Sequence, residues 1–557
     1  MGNVLSPKYT YEECTADLGE LGQLKGTLID GRVKRFVNVP YALPPTGEYR
    51  FRRPRALPKG YSYVNGQPRN AVDFGLPCPQ PTYTSLPVSE LAEDDGSAKA
   101  FPYDEDCLKM NIWMPSGPPP PGGYSVYAYL HGGWLQIGDP SIDPKMDPTE
   151  MSSIYLISTG GLNCIFISVG YRVSAFGFLA CKELKDETLD GSVGNYGLWD
   201  QRVALEWIHD HITALSGNPK RVVLGGRSAG AYSTHAQLVH ECLQAQPTEG
   251  GLFQRAILIS NAIPCLPKTV EETQTQFEQL LTALDIPLSL SGPERLSRLR
   301  AVPAEALTRK IMTIEQFTFR TVQDGVFFRH KTWLYDGKVA EEFKKRDMAA
   351  IIGEVQDEET LYRDGFRVTD EISLYKAVNQ YYSISFNFPD RLSACADDLP
   401  IRSPDPNPDI DSYTKVLGDI TSDGQVRAPS RSFARQLRDA GVPLDSVHRY
   451  IIGWVPDFVM QFAPPKFGVT HAMDRPIHNF SIFHGPKPHE EALMREWIKD
   501  YANFVNWRPV NFGTDLWTQV KVLSPKDNGS IRIEDGLKWD YLEKVSNVME
   551  GRAKSSA

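Results

Sequence analysis

The chain has 557 residues, a formal net charge of −10 and a pI near 5.7, and 41% of its residues are hydrophobic. This is the composition of an ordinary globular protein that is long enough to bury a large core. Because nucleic-acid binding requires a basic surface, we expect no nucleic-acid partner and an electrostatic field that suits a neutral or cationic small molecule. No run of 18 apolar residues occurs, so the sequence predicts no transmembrane segment.

The N-terminal sequence MGNVLSPKYTYEEC lacks the basic start and apolar run of a secretory signal, which predicts an intracellular, cytoplasmic location. Gly2 and Ser6 match the pattern for N-myristoylation, and a single acyl chain at Gly2 would give weak membrane association. The sequence contains no zinc-type spacing of cysteine and histidine and no glycine-rich phosphate-binding motif. We therefore expect neither a bound metal nor a cofactor.

Apolar strands alternate with helices through the first two thirds of the chain. Between about residues 20 and 75, short apolar runs broken by Gly and Pro predict a hairpin followed by extended chain. Buried strands are predicted in LKMNIWM, YSVYAYL and CIFISV, followed by a helix over 200–215. The strand RVVLGG then leads directly into the helix SAGAYSTHAQLVHECL, and RAILIS and MAAIIGEV are further strands. This alternation predicts an α/β fold with a central, mostly parallel sheet covered by helices on both faces.

Two long stretches of the chain, roughly 268–345 and 360–445, are predicted to be helical or irregular insertions around a pocket. An amphipathic helix over 490–505 is predicted to close the domain. We therefore interpret residues 1–557 as a single domain. The sequence leaves the oligomeric state open.

The junction at 224–232 contains the motif G-x-S-x-G, formed by Gly226, Ser228 and Gly230. It lies between a predicted strand and a predicted helix, as a nucleophile elbow does, and the helix N-terminus would direct N–H groups toward a developing oxyanion. The alternative is that Ser228 is an ordinary helix N-cap, a position that serine favours. The position between strand and helix favours the nucleophile.

A serine nucleophile needs a histidine base and a carboxylate that orients it, and in this fold the acid follows the serine and precedes the histidine. Asp357, Glu358 and Glu359 directly follow the strand MAAIIGEV, although three adjacent acids are also typical of a solvated loop. His471 lies in the loop FGVTHAMD and is the favoured base. The other histidines beyond the acidic loop stay open as alternatives: His448, His478, His484 and His489.

The segment HGGW at 131–134 directly follows the strand YSVYAYL. Its two glycines permit a close approach of the backbone, so the loop can supply N–H donors for an oxyanion. The alternative is an ordinary turn after a strand.

Three further segments, ALPPTGEYRFRRP, EDCLKMNIW and GNYGLWDQRVALEWIHDHI, resemble signatures of the type-B carboxylesterase and cholinesterase family, and the resemblance covers nearly the whole chain. It implies the α/β-hydrolase fold and hydrolysis of a small-molecule carboxylic ester through an acyl-enzyme. In this resemblance Ser228 is the nucleophile, Glu358 is the acid and His471 is the base. The remaining site residues are the oxyanion donors Gly133, Trp134 and Ala229, and the substrate-pocket candidates Gly132 and Arg227.

The resemblance also implies features that support the fold. It pairs Arg50 with Glu105 and Arg172 with Asp200 as structural ion pairs, and it matches Cys78 and Cys107 with a disulfide of secreted family members. Because the N-terminus shows no secretory signal, we expect these two cysteines to be thiols; the alternative, that their geometry in the fold permits a bond, stays open.

Four residues depart from the family pattern. Trp134 replaces the last glycine of the usual HGGG, which predicts a narrow site that rejects esters of tertiary alcohols. Arg227 replaces the usual glutamate beside the nucleophile; it either recruits an anionic group of the substrate or pairs with a nearby acid. Glu359 replaces the glycine after the acid, which weakens the choice of Glu358 over its neighbours. Ala231 replaces a helix glycine, a change that favours the helix.

Other functions share parts of this pattern. Acyl transfer to an alcohol would use the same residues as hydrolysis, so the sequence does not separate the two reactions. A non-catalytic binding protein on the same fold usually lacks the serine or the histidine, and here all three triad positions are filled. A lipase acting at interfaces would need an apolar lid, whereas the segment between Cys78 and Cys107 is rich in acids. Ester hydrolysis is therefore the favoured interpretation.

Overall fold

A computed structural model describes residues 9–82, 102–141, 157–243, 250–261, 267–329, 337–363, 365–366, 368–382, 410–460, 467–482, 485–536 and 538–549. The predictions for Gly2 and His484 lie outside these residues. Within them, no helix is long and apolar enough to cross a membrane.

The centre of the fold is a large mixed sheet whose middle strands run parallel and whose edges are antiparallel. In spatial order its strands are Tyr11–Asp17 (β1), Gln23–Ile29 (β2), Val33–Pro40 (β3), Lys109–Pro115 (β7), Cys164–Val169 (β9), Tyr124–Leu130 (β8), Gly217–Arg227 (β10), Arg255–Ile259 (β11), Ala349–Val355 (β12), Val447–Ile452 (β13), Gln519–Ser524 (β14) and Ser530–Asp535 (β15). The short strand Arg69–Asn70 (β6) pairs with β2, and Ala42–Leu43 (β4) pairs with Arg55–Ala56 (β5).

Strands β9, β8, β10, β11, β12, β13 and β14 form the parallel part of the sheet, so their carboxyl ends lie at one edge. Every residue of β9 and of β13 is buried, as expected for strands covered on both faces. The prediction of an α/β fold with a mostly parallel sheet is confirmed. The sequence analysis did not identify β13, because its buried sequence VHRYII contains a histidine and an arginine.

Helices cover both faces of the sheet. They are Ser174–Phe178 (α1), Lys182–Asp186 (α2), Tyr196–His211 (α3), Ala229–Leu243 (α4), Val270–Ala283 (α5), Gly292–Ala301 (α6), Ala304–Ile311 (α7), Lys338–Lys345 (α8), Glu359–Arg363 (α9), Glu371–Tyr381 (α10), Ile410–Ser422 (α11), Ala428–Asp439 (α12), Asp457–Met460 (α13), Arg475–His478 (α14), Pro488–Val505 (α15) and Trp539–Met549 (α16). A π-helical turn over Asp423–Arg427 joins α11 to α12.

Local sequence signals explain several helix boundaries. Thr269 caps α5 by accepting a hydrogen bond from the Glu272 N–H, while the Glu272 carboxylate accepts one from the Thr269 N–H. Helix α3 begins four residues before the predicted start, after Asn195 in the left-handed conformation, and a 3₁₀ turn over Ile212–Leu215 follows its end. The predicted closing helix over 490–505 corresponds to α15.

Two apolar clusters hold the layers together. The larger one includes residues of α3, α4, α5 and α8 together with one face of the sheet, and the other packs α15 against the opposite face. On strand β10, Leu224 belongs to the first cluster and Val223 to the second, because successive side chains of a strand point to opposite faces. The strand that leads to Ser228 is thus fixed from both sides.

The structure contains the two ion pairs that the family resemblance implies. The Arg50 guanidinium pairs with Glu105, and Arg172 makes a two-point contact with Asp200 at 2.9 and 2.7 Å. Both predictions are confirmed.

Cys78 and Cys107 form a disulfide, so the prediction of two thiols is wrong. That prediction rested on the N-terminal sequence alone. In the fold, the Asp104 N–H donates to the Pro77 carbonyl at 3.0 Å, and this contact brings the two ends of the intervening segment together.

Candidate active site

The turn from β10 to α4 holds Ser228 in a strained backbone conformation. Its φ is +56°, in a region that residues other than glycine, asparagine and aspartate rarely adopt. The Ser228 N–H donates to the Ile259 carbonyl at 2.8 Å, and its carbonyl accepts from the Tyr232 N–H at 2.9 Å, so the turn is tied to β11 and to the first turn of α4. These bonds compensate for the strain.

The two glycines of the motif are required by space. A Cβ at Gly226 would collide with the Gly230 backbone, and a Cβ at Gly230 would collide with the Leu130 carbonyl at the end of β8. Strand β10, helix α4 and strand β8 therefore meet by direct backbone contact. This close contact allows the elbow and the loop after β8 to approach each other.

Of the three adjacent acids after β12, Glu358 is the one that contacts His471. Its Oε2 lies 2.5 Å from His471 Nδ1, and its Oε1 accepts the Val355 N–H at 3.0 Å. The Glu358 side chain is fully buried. A carboxylate bonded to Nδ1 fixes the imidazole tautomer that leaves Nε2 free to accept a proton.

The two neighbouring acids have other partners. Asp357 accepts the Val469 N–H at 2.8 Å and donates its own N–H to the Val469 carbonyl at 3.2 Å, which anchors the loop that carries His471. Glu359 accepts from Arg427 at 2.6 Å on the other side of the turn. The backbone pairing of Asp357 with Thr470 thus aligns Glu358, the next residue, with His471.

His471 is buried and packs against Tyr362 of α9, with ring centroids 5.3 Å apart. Its Nε2 makes no hydrogen bond within the described residues, so the bond from the Ser228 hydroxyl to this nitrogen is not formed in the structure. Such bonds are often long in the absence of substrate and tighten when one binds.

The loop after β8 packs directly on the elbow. A Cβ at Gly132 would lie 2.9 Å from the Arg227 carbonyl oxygen and 3.2 Å from Ser228 Cβ, so this position is closed to larger residues unless the elbow shifts. Gly133 and Trp134 both have positive φ, at +109° and +59°. Ala229 begins α4, where the first N–H groups have no partner within the helix.

His131 supports this loop from beneath. Its ring stacks on Tyr171 at a centroid distance of 4.1 Å, and Nδ1 lies 2.9 Å from the Gly132 carbonyl oxygen. Burial lowers the pKa of His131 to about 4, so the ring is neutral at pH 7.

Gln136 connects the same loop to a more distant part of the chain. Its side-chain amide donates to the Phe319 carbonyl at 2.6 Å and accepts the Phe319 N–H at 2.9 Å, and it also donates to the Trp134 carbonyl at 3.1 Å. Gln136 is completely buried. The loop and the segment around Phe319 are thus held as one wall of the site.

Behind the elbow, Arg227 is part of a buried cluster with Asp474 and His478. The Arg227 guanidinium pairs with Asp474 Oδ1, and His478 Nδ1 lies 3.1 Å from Asp474 Oδ2. Burial alone would raise the pKa of Asp474, but the adjacent Arg227 and His478 outweigh it and hold that pKa below its ordinary value. Of the two interpretations of Arg227, the structure therefore contains the pairing with a nearby acid.

Two of the other histidines considered as bases, His448 and His489, have partners elsewhere in the fold. His448 lies in β13 and packs on Phe512, with ring centroids 4.8 Å apart. His489, on α15, lies 2.9 Å from the Asn528 side chain. Among the described residues, no group of three or more histidine, cysteine or acidic side chains is placed to hold a metal ion.

The model of the carboxylesterase family matches residues 15–549. The chain belongs to the carboxylesterase family. An uncharacterized esterase/lipase of Schizosaccharomyces pombe is 34% identical over 97% of both chains. A carboxylic ester hydrolase of Gibberella moniliformis is 32% identical over 98% of this chain and 99% of its own. The acetylcholinesterase of Bungarus fasciatus is 29% identical over 87% of this chain and 77% of its own.

Among solved structures, a PNB esterase superposes on this carboxylesterase-family chain with a TM-score of 0.70. The match covers 95% of this chain and 99% of the esterase at 23% identity, a likeness of fold. The predicted α/β-hydrolase fold, the resemblance to the type-B family and the assignment to ester hydrolases are confirmed.

The sequence analysis missed two residues that organise the site of this esterase. Gln136 lies two residues beyond HGGW, and Asp474 lies three residues beyond His471. Nothing local marks either one, because their partners Phe319 and Arg227 are 183 and 247 residues away in the chain.

Proposed function

We propose that this protein hydrolyses small-molecule carboxylic esters in two steps through an acyl-enzyme on Ser228. His471 takes the proton of the Ser228 hydroxyl as that oxygen attacks the ester carbonyl, and Glu358 holds the imidazole and stabilises the imidazolium that forms. His471 then protonates the leaving alcohol. In the second step it activates the water that releases the acid.

The contact that carries this proposal is the 2.5 Å approach of Glu358 Oε2 to His471 Nδ1. It supplies an oriented base whose Nε2 has no other hydrogen bond within the described residues. The acid follows β12 and the nucleophile follows β10, so both leave the same edge of the parallel sheet.

The proposed oxyanion donors are the backbone N–H groups of Gly133, Trp134 and Ala229. The contact of Gly132 with the elbow supports this assignment, because it places the loop beside Ser228. Donors that are fixed before the reaction stabilise the developing negative charge without reorganising, and one such donor is commonly worth about 10²–10³ in rate.

The test is steady-state hydrolysis of p-nitrophenyl butyrate by the wild type and by three variants: Ser228→Ala, His471→Gln and Glu358→Gln. The first two should lower kcat by about 10⁴ or more, and Glu358→Gln by about 10³–10⁴. Three matched controls are used. They alter a buried serine on α4 (Ser233→Ala), a partly buried acid next to Glu358 (Glu359→Gln) and an exposed histidine on α15 (His489→Gln).

These controls should keep kcat within a few-fold of the wild type. Full activity in Ser228→Ala would refute the mechanism. Equal losses in Glu358→Gln and Glu359→Gln would refute the choice of acid.

A further inference from the structure

The segment 318–322 adjoins the loop after β8 and the helix that follows Ser228, and several side chains hold it in place. The Gln136 side-chain amide makes two hydrogen bonds with the backbone of Phe319. The Asn195 side-chain amide likewise donates to the Val322 carbonyl at 2.8 Å and accepts the Val322 N–H at 3.0 Å. Thr321 contacts the hydroxyl of Tyr232, which lies four residues after Ser228 on α4. The segment is therefore fixed between the loop after β8 (residues 131–136, called the oxyanion loop below) and helix α4, which follows Ser228.

Arg320 is the charged residue of this segment, and its guanidinium is incompletely bonded. Nε donates a long hydrogen bond of 3.4 Å to the Gln380 carbonyl, and Cζ lies 5.0 Å above the Tyr381 ring. Nη2 is buried and has no hydrogen-bond partner. Within the described residues no carboxylate forms an ion pair with it, and Glu315, on the same stretch of chain, pairs instead with Lys376 at 3.2 Å.

The guanidinium lies near Tyr362, a residue that contacts His471. Tyr362, whose ring packs on His471, is close enough to sense its charge: burial raises the pKa of the Tyr362 hydroxyl, and Arg320 opposes that rise. Tyr381, beneath Arg320, lies against the turn that follows Tyr362, since a Cβ at Gly365 would be 3.5 Å from the Tyr381 hydroxyl. Arg320 and His471 therefore flank the same tyrosine.

A comparison with Arg255 shows how an arginine is otherwise accommodated here. Its guanidinium stacks on Trp507 at 4.2 Å and donates to the Phe504 carbonyl. Arg255 begins β11, so it lies at the edge of the sheet opposite to Ser228. It is thus a matched arginine remote from the site.

We propose that Arg320 binds a carboxylate carried by the substrate, so that the preferred esters have an anionic group on their acyl or alcohol part. This inference rests on the proposed ester hydrolysis. A guanidinium presents paired N–H donors that match a carboxylate, and a partly buried one is shielded little by water. The net charge of −10 does not prevent binding, because surface charges are screened beyond about 8 Å at physiological ionic strength.

The test compares charged and neutral esters of similar size. On the acyl side, p-nitrophenyl hydrogen glutarate is compared with p-nitrophenyl valerate; on the alcohol side, the butyrate ester of p-hydroxybenzoate is compared with that of p-cresol. The wild type should prefer the charged ester in at least one pair. Arg320→Met should lower kcat/KM for that ester by about tenfold or more and change the neutral ester less than twofold.

Arg320→Lys should retain part of the preference, and Arg255→Met should leave the ratio of the two rates unchanged. A wild type that prefers the neutral ester in both pairs, or equal losses on both esters in Arg320→Met, would overturn the inference while leaving ester hydrolysis intact. Failure of the wild type to hydrolyse any of the four esters would overturn both.

If Arg320→Met does not fold, inhibition of the wild type decides the question. Free glutarate should inhibit p-nitrophenyl butyrate hydrolysis competitively, about tenfold more tightly than its diamide. Equal inhibition by the acid and the diamide would contradict a carboxylate site.

Discussion

Two arginines near the proposed nucleophile elbow are in opposite electrostatic situations. Arg227, which precedes Ser228, is buried and its charge is compensated by Asp474, whereas Arg320, in the segment 318–322, has no paired carboxylate among the described residues. Sequence reasoning left two roles open for Arg227, which adjoins the proposed nucleophile: binding an anionic group of the substrate, or pairing with a nearby acid. The difference shows that proximity in sequence locates a charge, while its partner across the fold determines whether that charge is available to a ligand.

The rear of the elbow, formed by Arg227, Asp474 and His478, links the two halves of the proposed catalytic machinery. Arg227 immediately precedes Ser228, and Asp474 follows His471 by three residues. The buried pair therefore ties the nucleophile turn to the histidine loop. The front wall, formed by the oxyanion loop and the segment 318–322, depends instead on neutral amide contacts.

The largest expected effect comes from breaking the rear pair. Asp474→Asn leaves a buried guanidinium without a counter-charge, which should lower the free energy of unfolding by about 3–5 kcal/mol. Arg320→Met breaks no ion pair and should cost less than about 1 kcal/mol. Thermal unfolding followed by circular dichroism compares the two variants.

The double variant Arg227→Met/Asp474→Leu is the control for this prediction. It removes both charges and should recover most of the stability lost in Asp474→Asn, because the desolvation penalty disappears with the ions. If Arg320→Met lowered the free energy of unfolding more than Asp474→Asn did, the predicted order of the two effects would be contradicted.

Removing the contact between the oxyanion loop and the segment 318–322 should affect catalysis more than stability. Gln136→Leu removes two hydrogen bonds to the backbone of Phe319 and should lower the free energy of unfolding by about 1–3 kcal/mol. Displacement of the oxyanion loop in the same variant should lower kcat by about 10–100-fold. Steady-state kinetics with p-nitrophenyl butyrate measures the second effect.

Gln276→Leu is the matched control, since the Gln276 amide binds the Gln316 and Thr318 carbonyls of the same stretch without contacting the oxyanion loop. It should destabilise the protein to a similar extent and leave kcat nearly unchanged. Equal losses of kcat in both glutamine variants would show that the loop contact has no catalytic role.

The two regions should also respond to acid in different pH ranges. The folded-state pKa of His131, about 4, lies below the unfolded value near 6.5, so the unfolded state binds the extra proton first and stability falls as pH drops below 6.5. This loss is on the order of 2 kcal/mol at pH 5. Asp474 has a depressed pKa, so its contribution persists above about pH 4 and is lost only below it.

Unfolding measured from pH 7 to pH 5 tests this difference. His131→Asn should reduce the dependence of stability on pH in that range, whereas Arg227→Met/Asp474→Leu should leave it as in the wild type. An unchanged pH dependence in His131→Asn would contradict the neutral, buried state of that ring.

The smallest expected effect concerns Trp134. Trp134→Gly should relax a backbone with φ of +59° and open the site beside Ser228, so that an ester of tert-butanol becomes a substrate. The comparison is the ratio of kcat/KM for tert-butyl and n-butyl acetate in the variant and in the wild type. A wild type that already hydrolyses the tertiary ester efficiently would contradict the prediction of a narrow site.

Local patterns accounted for much of the fold and part of the candidate site. The elbow around Ser228 was predictable because strand, glycines and helix are contiguous in sequence. Preferring Glu358 to its neighbours needed the family resemblance, because the pairing of Asp357 with Thr470 joins segments more than 100 residues apart. Strand β13 was missed because its buried histidine and arginine interrupt the apolar pattern expected of a strand. The disulfide was missed because the N-terminal sequence carries no information about which cysteines lie close together in the fold.

The most direct test of the proposed mechanism is intact-protein mass spectrometry after incubation with a fluorophosphonate probe. We predict that the wild type gains the mass of one phosphonyl group on Ser228, and that Ser228→Ala gains none while remaining folded. Wild-type protein that takes up no label, or label that persists in Ser228→Ala, would contradict the assignment of Ser228 as the nucleophile.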